Sequence, residues 1–246
     1  MPRISAYHRP VAVPEALALL HRPGVRSVVL GGGTSVVPQR REFATEVIDL
    51  QALGLGSVSS ADGRVALGAM ATLDTASGSA QVPDAVREAA RREQPSTLRT
   101  LATIGGTVVA GDGESELLAA LLAFDAVVSF VNGQGEQARP LDDVLADPSI
   151  LHGGIVTALT IESSGVAAAA RTGRTPMDTP IVAVVGRRRT DGSLVLAASG
   201  VANTPLVIGD PAGLEPPGDF RGSTEYRRML AVELASRVTE ALKVLA

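Results

Sequence analysis

Two glycine clusters, each flanked by hydroxyl residues, constrain this chain more than any other feature. The first is Gly31-Gly32-Gly33-Thr34-Ser35, directly after the apolar run Ser27-Val28-Val29-Leu30. The second is Thr103-Ile104-Gly105-Gly106-Thr107. A residue without a Cβ lets the backbone approach a ligand or a neighbour closely. Successive N–H groups in such a loop form a concavity suited to anionic oxygens. Where a glycine loop opens onto a helix, the first-turn N–H groups add to the same field. Either cluster alone is as often a plain turn as a site. Two of them, about seventy residues apart, predict a clamp that closes on one pyrophosphate.

A dinucleotide fingerprint of the Gly-x-Gly-x-x-Gly type is the first alternative for residues 31–36. The preceding strand is right, and Asp49 stands at about the distance a ribose contact needs. Val36, however, occupies the position where close helix–strand packing wants Gly or Ala. The segments that follow also read as short strands and hairpins rather than repeated βαβ units. That alternative is disfavoured.

Composition narrows the function classes. With 45% hydrophobic and 20% charged residues over 246 positions, the chain has enough interior for a substantial core in one to three domains. A net charge of −4 leaves no basic footprint for nucleic acid. The short clusters Arg187-Arg188-Arg189, Arg91-Arg92 and Arg40-Arg41 read as solvated surface. There is no cysteine, hence no disulfide, thiolate nucleophile or thiolate cluster ligand. No apolar run reaches bilayer length and no signal-peptide core is visible, so the expected location is the cytoplasm. His8, His21 and His152 lack metal-ligand spacing. Asp142-Asp143 reads as a helix start, where carboxylates suit the helix dipole.

In chain order, residues 4–30 predict strand, helix, strand, with Pro14 at the first helical position. Thr34 or Ser35 is placed to cap a helix that carries Pro38 in its first turn. Strands are expected at residues 45–50, 64–70 and 155–161. Hairpins are expected over 126–139 and 181–200. Helices are expected at 83–92, with Pro83 at its first position, at 114–124 and at 223–245. The last of these presents Tyr226, Leu230, Leu234, Val238, Leu242 and Leu245 on one face. Residues 163–174, rich in Ser, Gly and Ala, read as a linker, and 211–222 as loop.

Several segments together carry a family likeness. Ala6-Tyr7-His8-Arg9-Pro10 with Glu15-Ala16, Gly31 to Pro38, and Leu67-Gly68-Ala69-Met70-Ala71-Thr72 occur in the order found in one group of proteins. So do Gly200-Val201-Ala202-Asn203-Thr204-Pro205 and Ser223-Thr224-Glu225-Tyr226-Arg227-Arg228. The most specific segment is Leu98-Arg99-Thr100-Leu101-Ala102-Thr103-Ile104-Gly105-Gly106, which resembles an Ile-Arg-Asn-x-Ala-Thr-Ile-Gly-Gly motif. The chain resembles the FAD-binding medium subunit of molybdenum hydroxylases over essentially its whole length. The resemblance implies an α+β protein. Two α/β subdomains, residues 1–53 and 54–163, would clamp FAD, and a small α+β C-terminal domain, 175–246, would follow.

By position, the resemblance also implies cofactor contacts from Gly31, Gly32, Gly33, Thr34 and Ser35, and from Thr103, Gly105, Gly106 and Thr107. Asp112 would lie near the ribityl chain, or else cap the helix that follows it. Thr107 replaces the family's Asn, and Gly113 its Pro, which is expected to loosen the turn. The activity implied is that of an oxidoreductase subunit passing electrons through FAD to NAD or a quinone. The electrons would come from iron–sulfur clusters, which must lie on a partner chain because this one has no cysteine; a molybdopterin-binding subunit would complete the complex. A family-fold module that has lost FAD, and a stand-alone flavin oxidoreductase, are the alternative readings.

Overall fold

The computed structural model describes residues 4–36, 46–173, 175 and 178–245. Pro38, the helix expected after Ser35, Arg40-Arg41 and Thr45 lie outside the described residues. Three units follow one another along the chain. The N-terminal unit comprises β1 (Ala6–His8), α1 (Val13–Leu20), β2 (Ser27–Leu30) and β3 (Glu46–Asp49). Its strands are parallel in the order β1-β3-β2. Pro14 sits within the first turn of α1, where its missing N–H costs nothing.

The middle unit begins with β4 (Val58–Ala61), β5 (Arg64–Gly68), α2 (Leu73–Gly78), α3 (Asp84–Glu93) and α4 (Ser96–Arg99). It continues with α5 (Ile104–Ala110), α6 (Glu116–Ala123), β6 (Val127–Asn132), β7 (Gly135–Pro140), α7 (Leu141–Ala146) and β8 (Ile155–Glu162). The strands form a five-stranded antiparallel sheet in the order β4-β5-β8-β6-β7. Pro83 turns out to be the N-cap of α3 rather than its first residue. Asp142 and Asp143 stand in the first turn of α7, as their charge suggests.

The C-terminal unit contains β9 (Val166–Arg171), β10 (Ala183–Arg188), β11 (Leu194–Ser199), β12 (Leu206–Val207) and the long α8 (Thr224–Val244). Its antiparallel sheet runs β12-β11-β10-β9. The linker expected at 163–174 is therefore corrected. Residues 166–171 pair along their whole length with β10, and their alanines are the small residues that fit between sheet and helices. Ala168 and Ala170 pack toward α8, and Ala167 packs toward the middle core.

Two cores meet across this last sheet. Period-2 alternation sends Val182 and Val184 toward α8 while Val185 joins the middle core. Every residue of α6 is buried, because this helix is packed between α3 and the far face of the C-terminal sheet. On α8 the buried stripe is Leu230, Leu234, Val238 and Leu242, joined by Arg227; Tyr226 and Leu245 are exposed instead. A smaller core of Ala16, Ile48, Leu50 and Ile155, with Met70 against it, seats the N-terminal unit on the middle one. Among the described residues no helix is long and apolar enough to cross a membrane.

Candidate functional site

The first glycine cluster leaves β2 at its carboxyl end, the end of a parallel strand where ligands of α/β units bind. Gly33 adopts the left-handed conformation at φ 76°, which a residue with a Cβ resists. Among the described residues, none accepts a hydrogen bond from the backbone N–H groups of Gly32, Gly33, Thr34 or Ser35. Within the described residues, four adjacent donors are thus open to a ligand or solvent.

The second cluster is not a loop. Thr103 is the N-cap of α5, and its hydroxyl accepts the Gly106 N–H at 3.1 Å. The first-turn donors of α5 are engaged as well. Ile104 N–H bonds to the Ala71 carbonyl at 2.9 Å and Gly105 N–H to that of Ala69 at 2.8 Å. Leu73 N–H returns to the Ala102 carbonyl at 2.9 Å. These long-range bonds fix the first turn of a helix that the glycine pair would not nucleate by itself. Gly105 is required by packing, because a Cβ there would stand 2.9 Å from both the Cβ and the carbonyl oxygen of Ala69.

The two clusters touch. A Cβ on Gly31 would lie 3.0 Å from the Thr103 hydroxyl, and one on Gly32 would lie 1.7 Å from the Leu101 carbonyl oxygen. Beside this junction opens a cavity of about 860 Å³, within the size range of cofactor sites. Gly31 to Val36 form one wall. Gly106, Val109 and Ala110, at i, i+3 and i+4 on α5, form a second. Residues 151–156 form a third, tied to the N-terminal unit by a 2.8 Å hydrogen bond between the His21 ring and the Gly153 carbonyl. Among the described lining residues Arg26 carries the one charged side chain. The fixed field at the junction therefore comes from backbone N–H dipoles. The donors, the missing Cβ atoms and the aliphatic walls fit a group with an anionic middle and planar, weakly polar ends.

Of the residues expected at the site, Gly31, Gly32, Gly33, Thr34, Ser35, Thr103, Gly105 and Gly106 line this one cavity. Thr107 and Asp112 are outside its lining. The Thr107 hydroxyl donates to the Thr103 carbonyl at 3.2 Å, inside α5. Asp112 accepts the Glu114 N–H at 3.0 Å in the turn before α6, whose N-cap is Ser115. Gly113 does not loosen that turn. A Cβ there would stand 2.7 Å from the carbonyl oxygens of Ala202 and Asn203, so glycine is what lets the C-terminal unit close on it. Asp49 is buried and accepts from the Tyr7 hydroxyl at 2.6 Å and Gln51 N–H at 2.9 Å. That leaves it a structural carboxylate. The His8 ring is 2.8 Å from the Glu46 carboxylate, and among the described residues no group of three metal-ligating side chains exists.

Sequence reasoning missed the wall at 151–156, although Gly153-Gly154 is a third glycine pair and Gly153 is left-handed at φ 67°. It also missed Val109 and Ala110. Their spacing from Gly106 marks one helix face, a signal readable only once α5 is known to be a helix.

Two glycine clusters on separate units meeting beside one cavity are an arrangement that suits a dinucleotide-type cofactor. Residues 3–161 match the family described as FAD binding domain in molybdopterin dehydrogenase. The chain is 31% identical over 246 residues to the uncharacterized protein YgfM of Escherichia coli K12, covering 92% of each. It is 28% identical over 277 residues to the carbon monoxide dehydrogenase medium chain of Afipia carboxidovorans, covering 96% of each. A crystal structure of the Cu,Mo-CO dehydrogenase in its cyanide-inactivated form superposes with a TM-score of 0.89 at 25% identity, over the whole of both chains. This chain belongs to the FAD-binding family of the molybdopterin dehydrogenases, and its α+β fold is that of the medium chain. It is an FAD-binding subunit of the molybdenum hydroxylase type.

Proposed function

We propose that the chain is the electron-transfer subunit of a molybdenum hydroxylase, taking electrons from iron–sulfur clusters on a partner chain and delivering them to NAD or a quinone. Bound FAD supplies the redox chemistry, and the protein supplies position and field. The observation that carries this reading is the junction of the two glycine clusters, with four N–H donors on the cavity wall that have no acceptor among the described residues. In this reading Gly32, Gly33, Thr34 and Ser35 donate to the pyrophosphate. Charge-assisted hydrogen bonds of this kind contribute about 1.5–3 kcal/mol each, so four backbone donors supply much of the hold on a flavin nucleotide. Thr103, Gly105 and Gly106 hold the opposite wall at the right distance, and Gly31 lets the two walls meet. The aliphatic surface of Val109 and Ala110 excludes water beside them.

With no cysteine, these 246 residues supply no thiolate ligand, so in this reading the donor clusters lie outside them. Two relatives support a multi-subunit setting. One carries the designation medium chain. The other, 31% identical over 160 residues, is the alpha subunit of the 6-hydroxypseudooxynicotine dehydrogenase complex of Paenarthrobacter nicotinovorans. The proposed partners are an iron–sulfur subunit and a molybdopterin-binding subunit, and the proposed compartment is the cytoplasm. Affinity purification from the native cells, followed by mass spectrometry and a visible spectrum, tests this. Co-purification of a cysteine-rich chain and a large molybdopterin-type chain, with flavin and iron–sulfur bands, is the expected result. Flavin bands on a chain that purifies alone would overturn the electron-transfer role.

A further inference from the structure

The turn between α5 and α6 is held from outside its own unit. Gly200 N–H donates to the Gly113 carbonyl at 2.6 Å, and the carbonyls of Ala202 and Asn203 lie against Gly113 as described above. Glu114, the next residue, enters an ion cluster with Arg221, Arg227 and Asp219. Arg221 donates to one Glu114 oxygen, and Arg227 lies 3.6 Å from the other. Arg227 also donates to Asp219 at 2.7 Å and to the carbonyls of Ile181 and Gly200 at 2.8 and 3.0 Å. At 3% exposure it is a buried cation whose place is fixed by the strands it bonds. Its proximity holds the Asp219 carboxyl down at about 2, so the acid stays charged at any working pH. Two guanidinium groups thus face two carboxylates, and one of those carboxylates belongs to the middle unit.

We propose that this cluster positions α5 against the cofactor cavity, with Glu114 as the positioning residue through which the C-terminal unit acts. The link is short and built of stiff pieces. Arg227 is anchored to the ends of β10 and β11. Glu114 is anchored to Arg221 and Arg227. Gly111, left-handed at φ 58°, ends α5 three residues earlier. The far side of α5 presents Gly106, Val109 and Ala110 to the cavity. A rearrangement of the cluster is therefore transmitted to the wall that faces FAD. Coupling of this kind requires a connected physical path between the two places, and every step of this one is a hydrogen bond, an ion pair or a covalent turn. The inference rests on the reading that the cavity takes FAD.

The test uses the full chain. Glu114→Gln removes the charge while Asp219 still balances Arg227, so the fold is retained. FAD affinity by fluorescence titration, the visible circular dichroism of bound flavin, and hydrogen exchange over residues 104–110 are measured together. Glu114→Gln is expected to bind FAD roughly three- to tenfold more weakly, with a changed visible dichroism and faster exchange in α5. Glu114→Asp is expected to recover part of all three. Val184→Ala, a cavity in the α8-facing core that removes no member of the ion cluster, serves as the general destabilisation control and is expected to leave affinity unchanged. Unaltered affinity and α5 exchange in Glu114→Gln overturn the proposal, as does an equal loss in Val184→Ala. An unaltered chain that binds no FAD overturns both this proposal and the reading beneath it, which separates the two failures.

Discussion

The two glycine clusters look alike in sequence and do different things. The first, at residues 31–35, has no acceptor among the described residues for the N–H groups of Gly32 to Ser35, and it carries a left-handed Gly33. The second, at 103–106, is the capped first turn of a helix, with every early N–H already bonded to Thr103, Ala69 or Ala71. One cluster is available for recognition. The other is a rigid counter-wall, where a Cβ on Gly105 would meet Ala69 and one on Gly106 the Thr103 hydroxyl. A glycine pair flanked by threonine therefore reports close approach, and only the surrounding hydrogen bonds say whether the approaching partner is a ligand or the protein itself.

The largest expected effect comes from the point where the clusters meet. Gly32→Ala places a methyl group 1.7 Å from a backbone carbonyl oxygen, an overlap no rotamer relieves. The first cluster must back away from the second, and FAD affinity is expected to fall by about a hundredfold or more, the equivalent of roughly 3 kcal/mol. Titration with FAD measures it; binding within threefold of the unaltered chain would show that the clamp does not close on the cofactor. Gly106→Val comes next. Its Cβ meets only the Thr103 hydroxyl, at 2.9 Å, which can rotate away at the cost of the cap, about 1 kcal/mol. The valine then projects into the cavity. Affinity is expected to drop by about thirtyfold while the melting temperature moves by only a few degrees. A large loss of stability with intact affinity would reverse the roles given to the two clusters.

Protons act at the N-terminus of α6, the helix that follows the counter-wall. Burial raises the Glu93 carboxyl to about 7, against the opposing pull of Ser115 and the Leu117 N–H, with Asp112 and Glu116 adding to the rise. Glu93 reaches from α3 to the N-terminus of α6, accepting from Leu117 N–H at 3.1 Å. An acid with a folded pKa above its unfolded one keeps its proton in the native state after the unfolded chain has released it. Stability therefore falls as pH rises from about 4.5 to about 7, and the penalty is complete above that. Glu93→Gln keeps the acceptor for Leu117 and removes the charge. It is expected to be more stable than the unaltered chain by roughly 1–2 kcal/mol at pH 8 and about equal at pH 4. Chemical denaturation at the two pH values checks this. The pH profile of FAD affinity is expected to be the same in both proteins, because the first cluster does not touch Glu93.

How much of this was legible in the sequence follows the same division. Residues 27–35 announce themselves locally, as an apolar run ending in three glycines and two hydroxyls, and the structure keeps strand and turn where the pattern puts them. The helix at 104–110 does not announce itself. Two glycines lower local helix propensity, and the acceptors that fix its first turn arrive from residues 69 and 71. Strand β9 was hidden because four alanines resemble a linker until a sheet and two helices close around them. The wall at 151–156 was hidden because its place depends on docking of the N-terminal unit through His21 and Ile155. Local chemistry is readable from local residues, whereas the shape of a cavity is set by contacts far apart in the chain.

Thr107 gives the smallest effect and the finest discrimination between the two clusters. Placed beside Gly106, it invites the inference that a hydroxyl stands in for a family amide at the cofactor. In the structure its hydroxyl bonds back to the Thr103 carbonyl one turn earlier, a pattern that trims helix stability slightly rather than reaching outward. Thr107→Ala then removes a weak intrahelical bond and no donor from the cavity. FAD affinity is expected to stay within about twofold, under ~0.4 kcal/mol, and hydrogen exchange in α5 to change little. Thr107→Asn is the sharper arm. An amide that recovers affinity above the unaltered chain would mean that α5 turns far enough in the bound state to bring position 107 to the cofactor. The second cluster would then be a moving wall, and its engaged N–H groups would have to re-form around FAD.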